Sequence, residues 1–205
     1  MNISIPYIRK SLYIYVSATI ISGCSLNLVE HNTATKTKPT LANISEDNLK
    51  IYTEALYALR NNKLEKSENK LNELIKIIPN IAGAQANLGL IYFKRNDYKK
   101  ASTYFEKAIK LNPKNYKIHN AIANNYIRLG EFSLAEKHFL EATKLKPTDS
   151  RSHYNLALLY DIYFHEIDKS VKHYSRYLKI LEKKGVEDKL TIDWVKQLKS
   201  SINKG

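Results

Sequence analysis

Few side chains in this chain of 205 residues are spaced for a chemical reaction. Six histidines are present, but His165-Glu166 is not followed by a histidine four residues after His165, so the helical zinc motif of metalloproteases is absent. His119 and His153 lie 34 residues apart without a third ligand nearby in sequence, which favours a packing role over a shared metal. The six glycines are isolated, so neither a phosphate-binding loop nor a nucleophile elbow is formed. We therefore expect no enzyme activity, metal or cofactor.

The single cysteine, Cys24, follows a segment that is typical of exported proteins. Arg9 and Lys10 form a short positive region, and the apolar run Leu12–Ile21 is too short to cross the ~30 Å hydrocarbon core of a bilayer. The sequence Ile21-Ser22-Gly23-Cys24 resembles the lipobox of bacterial lipoproteins. This resemblance implies a signal peptide over residues 1–23 and a lipid, palmitate included, on Cys24. The alternative is a misplaced start or an uncleaved anchor with an incidental cysteine.

Residues 24–45 are predicted to be the lipidated N-terminus and a flexible tether. The segment Ser25–Ser45 is rich in Asn, Thr, Lys and Ala and has no helical periodicity, and such a composition cannot bury a core. Fully stretched, it spans at most ~70 Å. In Gram-negative lipoproteins of this kind, a residue other than Asp after the cysteine, here Ser25, implies an anchor in the outer membrane that faces the periplasm.

A pattern of small and large residues recurs with a period of 34 residues in the middle of the chain. Small residues allow two antiparallel helices to approach closely, large ones fill the space beside them, and a proline follows the second helix. The two copies are Leu88, Gly89, Tyr92, Ala101, Phe105, Ala108 and Pro113, then Ile122, Ala123, Tyr126, Ala135, Phe139, Ala142 and Pro147. The pattern resembles the tetratricopeptide repeat. The resemblance implies an all-α solenoid, a right-handed superhelix of antiparallel helix pairs.

Four repeats are predicted within a domain of residues 46–185, at about 48–81, 82–115, 116–149 and 150–183. The fourth continues the pattern with Tyr160, Ser170 and Tyr174 but needs one extra residue near Phe164–Asp168. The first keeps Ala55 and Pro79 but has Glu54 where leucine is usual, as terminal repeats are commonly atypical. Residues 186–205 are predicted to form a C-terminal capping helix whose apolar residues are Leu190, Trp194, Val195, Leu198 and Ile202. About nine helices and no strands are expected.

The resemblance also places the candidate binding site, because the first helix of each repeat lines the concave face in this family. The outward-facing positions assigned to a partner-binding groove are Asn87, Lys94, Lys117, Asn120, Asn124, Arg128, Arg151, Tyr154 and Asn155, with Leu90, Phe93 and Asp161 beside them. Asparagine can bond a peptide backbone, and lysine or arginine can bind an acidic residue or a C-terminal carboxylate. Asn124 and Asn155 match two positions of a carboxylate-binding set in some family members, but Asn120 replaces its basic residue, so a complete clamp is not predicted. For Asn87 and Asn155, a structural role is an equal alternative.

The net charge of +13 narrows the partner class once export is considered. Signal cleavage would remove two of the 33 basic residues and none of the 20 acidic ones, which leaves +11. In a cytosolic protein this charge would favour nucleic acid, but export favours anionic lipid, acidic cell-wall polymer or an acidic protein. A lysine-rich solvated surface is the simpler alternative. We expect no nucleic-acid partner.

Two functions are compatible with these features. The first is a non-enzymatic, lipid-anchored scaffold or adaptor of the bacterial cell envelope that binds a protein or peptide partner. It resembles tetratricopeptide lipoproteins that assist pilus assembly or recruit cell-wall enzymes. The alternative is an accessory subunit of an envelope transport system, such as an energised-uptake complex of the TonB type.

Overall fold

The computed structural model describes residues 44–202, which form nine α-helices, one π-helical segment and, within that range, no strand. The predicted all-α fold is therefore confirmed. The helices are α1 Glu46–Arg60, α2 Leu64–Ile77, α3 Ala82–Lys94, α4 Tyr98–Leu111, α5 Tyr116–Leu129, α6 Phe132–Leu145, α7 Ser150–Leu159, α8 Ile167–Glu182 and α9 Lys189–Ile202, with the π-helical segment at Tyr160–Phe164. The signal peptide, Cys24 and nearly all of the tether predicted from the sequence lie outside the described residues.

Four helix hairpins and one additional helix make up this part of the chain. Each of α1, α3, α5 and α7 packs mainly against the helix that follows it, and α9 packs against α8. The chain divides into two compact units with the boundary after Pro113. In the described residues, the first unit holds α1–α4 and the second holds α5–α9.

Close helix contact in the first unit depends on small residues, as the repeat pattern predicts. A Cβ atom added to Gly89 would lie 2.6 Å from Cδ1 of Phe105, so even a methyl group has no room there. Ala101 and Ala108, on the other helix of this hairpin, are fully buried. The ring of Phe105 thus fills the space that Gly89 leaves between α3 and α4.

The second unit repeats this packing with alanine in place of glycine. Ala123, Ala135 and Phe139 are fully buried and join a core cluster with residues of α7. Of the six aromatic residues that the sequence predicts for the cores, Tyr126 alone is partly buried and packs at the edge of this cluster. The other five are buried: Tyr92, Phe105, Phe139, Tyr160 and Tyr174.

The π-helical segment absorbs the extra residue of the fourth repeat. It begins at Tyr160, and the Tyr160 carbonyl accepts a hydrogen bond from the backbone N–H of Glu166 at 2.9 Å. A π turn holds one residue more than an α turn, so α8 recovers the repeat register and Ser170 is fully buried like Ala135. The wider turn also carries Asp161 into the core, so the predicted outward-facing position of Asp161 is wrong.

The C-terminal helix exists as predicted and buries three of its five predicted apolar residues, while the two at its ends are exposed. Thr191, Trp194, Val195 and Leu198 are buried, whereas Leu190 is 73% exposed and Ile202 is 40% exposed. The helix is fixed at both sides of this face: Asp188 caps its start by accepting from the Thr191 backbone N–H at 3.1 Å, and the Trp194 indole donates to Asp161 Oδ2 at 2.7 Å. The hydrogen bond to Asp161 holds Trp194 in the buried face.

Candidate partner-binding face

Three of the four first helices lack acidic residues, whereas the first helix α1 contains both signs. The first helices α3, α5 and α7 contain four basic residues, Lys94, Lys117, Arg128 and Arg151, and no acidic residue. The second helices α4, α6 and α8 contain both signs. In the second unit, Arg128 and Arg151 are exposed and Lys117 is half-buried. These three first helices therefore present positive charge that the chain does not neutralise with acidic residues of the same helices.

Asn120 ties two first helices together within the second unit. Its Nδ2 donates to Oγ of Ser152 at 2.6 Å and to the Tyr116 carbonyl at 3.2 Å. The Ser152 hydroxyl in turn donates to Oδ2 of Asp149 at 2.6 Å, and Asp149 also caps the start of α7. Asn120 is only 6% exposed, so its predicted outward-facing position is wrong. Sequence reasoning missed Ser152 and Asp149 as its partners.

Three further predicted positions are buried. Asn87 is 0% exposed, and its Nδ2 donates to the hydroxyl of Tyr52 at 3.1 Å. Its side chain therefore has a structural role, which was the alternative to a role in partner binding. Asn155 and Leu90 are buried as well, which contradicts their predicted outward-facing positions. The physical reason is the length of the neighbouring side chains: Tyr52, for example, reaches from α1 to cover the amide of Asn87.

Five predicted residues of the second unit remain accessible, and we call them the α5–α7 face: Lys117, Asn124, Arg128, Arg151 and Tyr154. Asn124 donates through Nδ2 to the Asn120 carbonyl at 2.9 Å. The ring of Tyr154 packs against Tyr177 at a centroid distance of 4.9 Å, and burial raises the pKa of Tyr154. In the first unit, Lys94 and Phe93 are half-buried.

Two histidine pairs join first and second helices in the second unit. Nδ1 of His119 lies 3.0 Å from Nδ1 of His138, and Nδ1 of His153 lies 3.2 Å from Nδ1 of His173. Each second-helix ring also stacks on a tyrosine, Tyr126 or Tyr160. The packing role predicted for His119 and His153 is confirmed. Their partners were missed, although the 34-residue period, allowing for the inserted residue, relates His138 to His173.

Burial lowers the pKa of three of the four paired histidines, His138, His153 and His173. The pKa of His138 falls to about 4, mainly through burial and also through the proximity of His119 and Lys137. The pKa of His173 falls to about 4 for the same reason, with His153 and Lys172 nearby. Burial lowers the pKa of His153 too. At neutral pH, His138, His153 and His173 are therefore uncharged. Between residues 44 and 202, no group of three or more His, Cys, Asp or Glu residues is arranged to hold a metal ion.

A hydrogen bond from a tyrosine hydroxyl to a glutamate carboxylate recurs between successive repeats. It was not predicted from the sequence. The hydroxyl of Tyr92 donates to Glu68, and that of Tyr160 donates to Oε1 of Glu136 at 2.6 Å. Both tyrosines and both glutamates are 68 residues apart, twice the repeat period, which is the signal that could have found them. A lysine lies over each ring: Nζ of Lys100 is 4.1 Å from the Tyr92 centroid, and Nζ of Lys169 is 5.0 Å from that of Tyr160. These clusters connect repeats inside each unit.

Comparison with known proteins agrees with this geometry. Tetratricopeptide repeat family models match residues 82–115 and 116–149. Residues 82–149 are two tetratricopeptide repeats. No curated protein matches the chain significantly. Tetratricopeptide repeats are typically non-catalytic modules that bind proteins or peptides, so the chain has the architecture of a protein-interaction scaffold.

Solved structures of tetratricopeptide proteins share the fold at low sequence identity. MamA from Desulfovibrio magneticus RS-1 is 18% identical over 77% of this chain and 97% of its own, with a TM-score of 0.59. PilF from Pseudomonas aeruginosa is 21% identical over 66% of this chain and 61% of its own, with a TM-score of 0.61. The first tetratricopeptide domain of Spaghetti (RPAP3), bound to the HSP90 peptide SRMEEVD, is 19% identical over 60% of this chain and 93% of its own, with a TM-score of 0.53.

Among residues 44–202, no helix is both long and apolar enough to cross a membrane.

Proposed function

We propose that this protein is a lipid-anchored scaffold of the bacterial envelope whose α5–α7 face binds an extended, acidic segment of a partner protein. The observation that carries the proposal is the charge of α5 and α7, which hold Lys117, Arg128 and Arg151 and no acidic residue. Opposite charges across an interface speed association and select the partner. The face supplies that charge in a repeat fold that serves protein interaction.

The positions of these residues support one continuous surface. Lys117 lies three residues before Asn120, and Asn124 and Arg128 lie four and eight residues after it, so all three lie along one side of α5. Arg151 is adjacent to Ser152, which accepts the hydrogen bond from Asn120 at 2.6 Å. The buried Asn120–Ser152 contact thus fixes α5, which carries Lys117 and Arg128, beside the start of α7, which carries the exposed Arg151.

An acidic occupant is also supported by the Spaghetti complex. The peptide bound there, SRMEEVD, has two glutamates and a C-terminal aspartate. In the present chain, the buried Asn120 replaces a basic residue of the carboxylate-binding set, so we expect acidic side chains to contribute more than a free C-terminal carboxylate. An amidated peptide should then bind nearly as well as the free acid.

Direct binding tests the face. Fluorescence anisotropy with labelled SRMEEVD would measure its affinity for the full-length protein in detergent. We expect Lys117→Glu/Arg151→Glu to weaken binding at least tenfold through charge repulsion, and the loss to shrink as salt rises, because exposed charges are screened over ~8–10 Å. Lys183→Glu/Lys184→Glu makes the same charge change at exposed residues after α8 and should bind like wild type. Equal affinity for the two double variants, each with unchanged helicity, would rule out the α5–α7 face.

The anchor is proposed from the sequence Ile21-Ser22-Gly23-Cys24 and is tested separately. Lipid on Cys24 would hold the repeats at the periplasmic side of the outer membrane through the tether. Cys24→Ser should move the protein from the membrane fraction to the soluble fraction and abolish labelling with a palmitate analogue. Equal labelling of both proteins would refute the anchor and leave the binding proposal intact.

The process served by the scaffold is proposed at a coarser level. Pilus assembly or recruitment of cell-wall enzymes is favoured, and the shared fold with PilF is consistent with the first of these. An accessory role in TonB-type uptake is the alternative. Crosslinking in envelopes, followed by identification of partners lost in the Lys117→Glu/Arg151→Glu variant, distinguishes them: pilus or cell-wall proteins support the scaffold, and transport motor subunits support the alternative.

A further inference from the structure

We propose that the two histidine pairs, His119 with His138 and His153 with His173, make the second unit acid-sensitive, so that mild acid loosens its hairpins while the first unit stays closed. Each pair spans one hairpin, α5/α6 or α7/α8, and its Nδ1 atoms are 3.0 or 3.2 Å apart. One proton between two such nitrogens makes a hydrogen bond. A proton gained by the accepting Nδ1 removes that acceptor, so two N–H groups face each other and the buried contact gains a positive charge, which drives the two helices apart.

The surroundings of the first pair oppose protonation. His138 stacks on Tyr126 at a centroid distance of 5.7 Å, and the charged group near it is Lys137, another cation. The His119 side of the pair is buried. Burial and nearby positive charge therefore both favour the neutral ring of His138, and a proton gained there in acid is accommodated poorly in the closed hairpin.

The second pair has a more mixed environment. Arg176 and Lys172 of α8 oppose protonation, while Asp149 and the Pro147 carbonyl, 3.2 Å from Nε2 of His153, favour it. His173 also stacks on Tyr160, which carries Glu136 on its hydroxyl and Lys169 over its ring. Burial dominates for both rings, so the closed hairpin again favours the neutral pair.

The first unit provides an internal control. One repeat earlier, the positions of His119 and His138 hold Gln85 and Tyr104, and Tyr104 stacks on Tyr92 with ring centroids 5.3 Å apart. Neither side chain gains a proton in mild acid. The same helix contact is thus built from aromatic and amide groups in one unit and from imidazoles in the other.

Linkage gives the direction and the pH window. A histidine whose pKa is lower in the folded protein contributes stability above about pH 6.5, and that contribution is lost as the pH falls toward 4. For a pKa change from about 6.5 to about 4, the opening equilibrium at pH 5 should rise about 30-fold for each of His138 and His173. The window between pH 7 and pH 5 lies above the ordinary pKa values of aspartate and glutamate side chains.

Hydrogen exchange of the full-length protein in detergent, corrected for intrinsic rates, tests the proposal. Between pH 7 and pH 5, amides of α5–α8 should open at least tenfold more often, and those of α1–α4 should not. The variant His119→Gln/His138→Tyr/His153→Gln/His173→Tyr copies the first-unit residues and should lose this pH dependence. His165→Asn, at an exposed position outside the two histidine pairs and with φ of 55°, should keep it. The same pH dependence in wild type and the quadruple variant would overturn the proposal.

A titration of the wild type keeps the test decisive if the quadruple variant fails to fold. The ring protons of the histidines, followed by NMR and assigned with single substitutions, should show midpoints well below 6 for His138 and His173. Midpoints near 6.5 for all of them would overturn the proposal, because the pairs would then accept protons without opening.

Discussion

The first helices α3 and α5 occupy the same place in successive repeats, yet they differ in what they expose. Every residue of α3 from Ala82 to Tyr92 is buried, including Gln85 and Asn87. In α5, by contrast, Lys117 and Asn124 are half-buried and Arg128 is exposed. The repeat pattern therefore fixes which small and aromatic residues hold a hairpin together, and it leaves the remaining positions of the first helix free to diverge.

The internal contacts differ between the same two hairpins in a related way. In the α3/α4 hairpin glycine meets phenylalanine, whereas the α5/α6 hairpin uses alanine and phenylalanine at the same places. A tyrosine that stacks on another tyrosine in α3/α4 is replaced in α5/α6 by a histidine that pairs with a second histidine. Hairpins with similar packing can thus carry different responses to pH. The fold of a hairpin and its sensitivity to pH are therefore set by different residues.

The largest expected effect tests whether the two units are energetically separate. Phe105→Ala and Phe139→Ala each remove a fully buried ring from one unit and should cost ~3–5 kcal/mol of unfolding free energy. Urea unfolding measures the loss, and hydrogen exchange locates it. We expect Phe105→Ala to expose α1–α4 and Phe139→Ala to expose α5–α9. Uniform loss of protection across all nine helices in both variants would show a single cooperative unit.

A smaller effect tests the register of the small residues. Ala108→Leu and Ala142→Leu add three carbons at fully buried helix contacts and should cost ~1–3 kcal/mol. Gly89→Ala should be destabilising as well, because its Cβ would lie 2.6 Å from Phe105, although alanine is the native residue at the equivalent Ala123. Thermal unfolding compares the variants with Ser200→Leu, a change at an exposed position of α9. Unchanged stability of all three core variants would contradict the register.

The sequence predicted the hairpins well because their contacts depend on residue size at a fixed period. Gly89, Ala108 and Phe139 have the predicted roles since a close helix approach admits few alternatives. Tyr126 is less buried than expected, because the period identifies a face of a helix and does not set how deeply that face is covered. The inserted residue was detected from the lost register of Ser170, but its absorption by a π turn depends on backbone hydrogen bonds that leave no pattern in sequence.

The candidate site was predicted less well, for a different physical reason. Exposed charge at Arg128 and Arg151 follows from helical spacing alone. The burial of Asn87 and Asn120 depends on Tyr52 and Ser152, which lie on other helices and reach them over 35 and 32 residues of sequence. Polar side chains can face either water or a polar neighbour, so spacing alone does not separate a binding asparagine from a structural one.

The smallest expected effect concerns the tyrosine–carboxylate bonds that connect successive repeats in each unit. Tyr92→Phe and Tyr160→Phe keep the ring and remove the hydroxyl that donates to Glu68 or Glu136. A hydrogen bond to a charged group contributes ~1.5–3 kcal/mol, but both glutamates are partly accessible to water, so we expect a loss near 1 kcal/mol. In the first unit Arg95 also binds Glu68 at 2.6 Å and can hold the carboxylate in place, so Tyr92→Phe should cost less than Tyr160→Phe. Urea unfolding at pH 7 compares both with Tyr57→Phe, at an exposed ring. A loss no greater than that of Tyr57→Phe in both variants would show that these bonds follow from the packing and do not stabilise it.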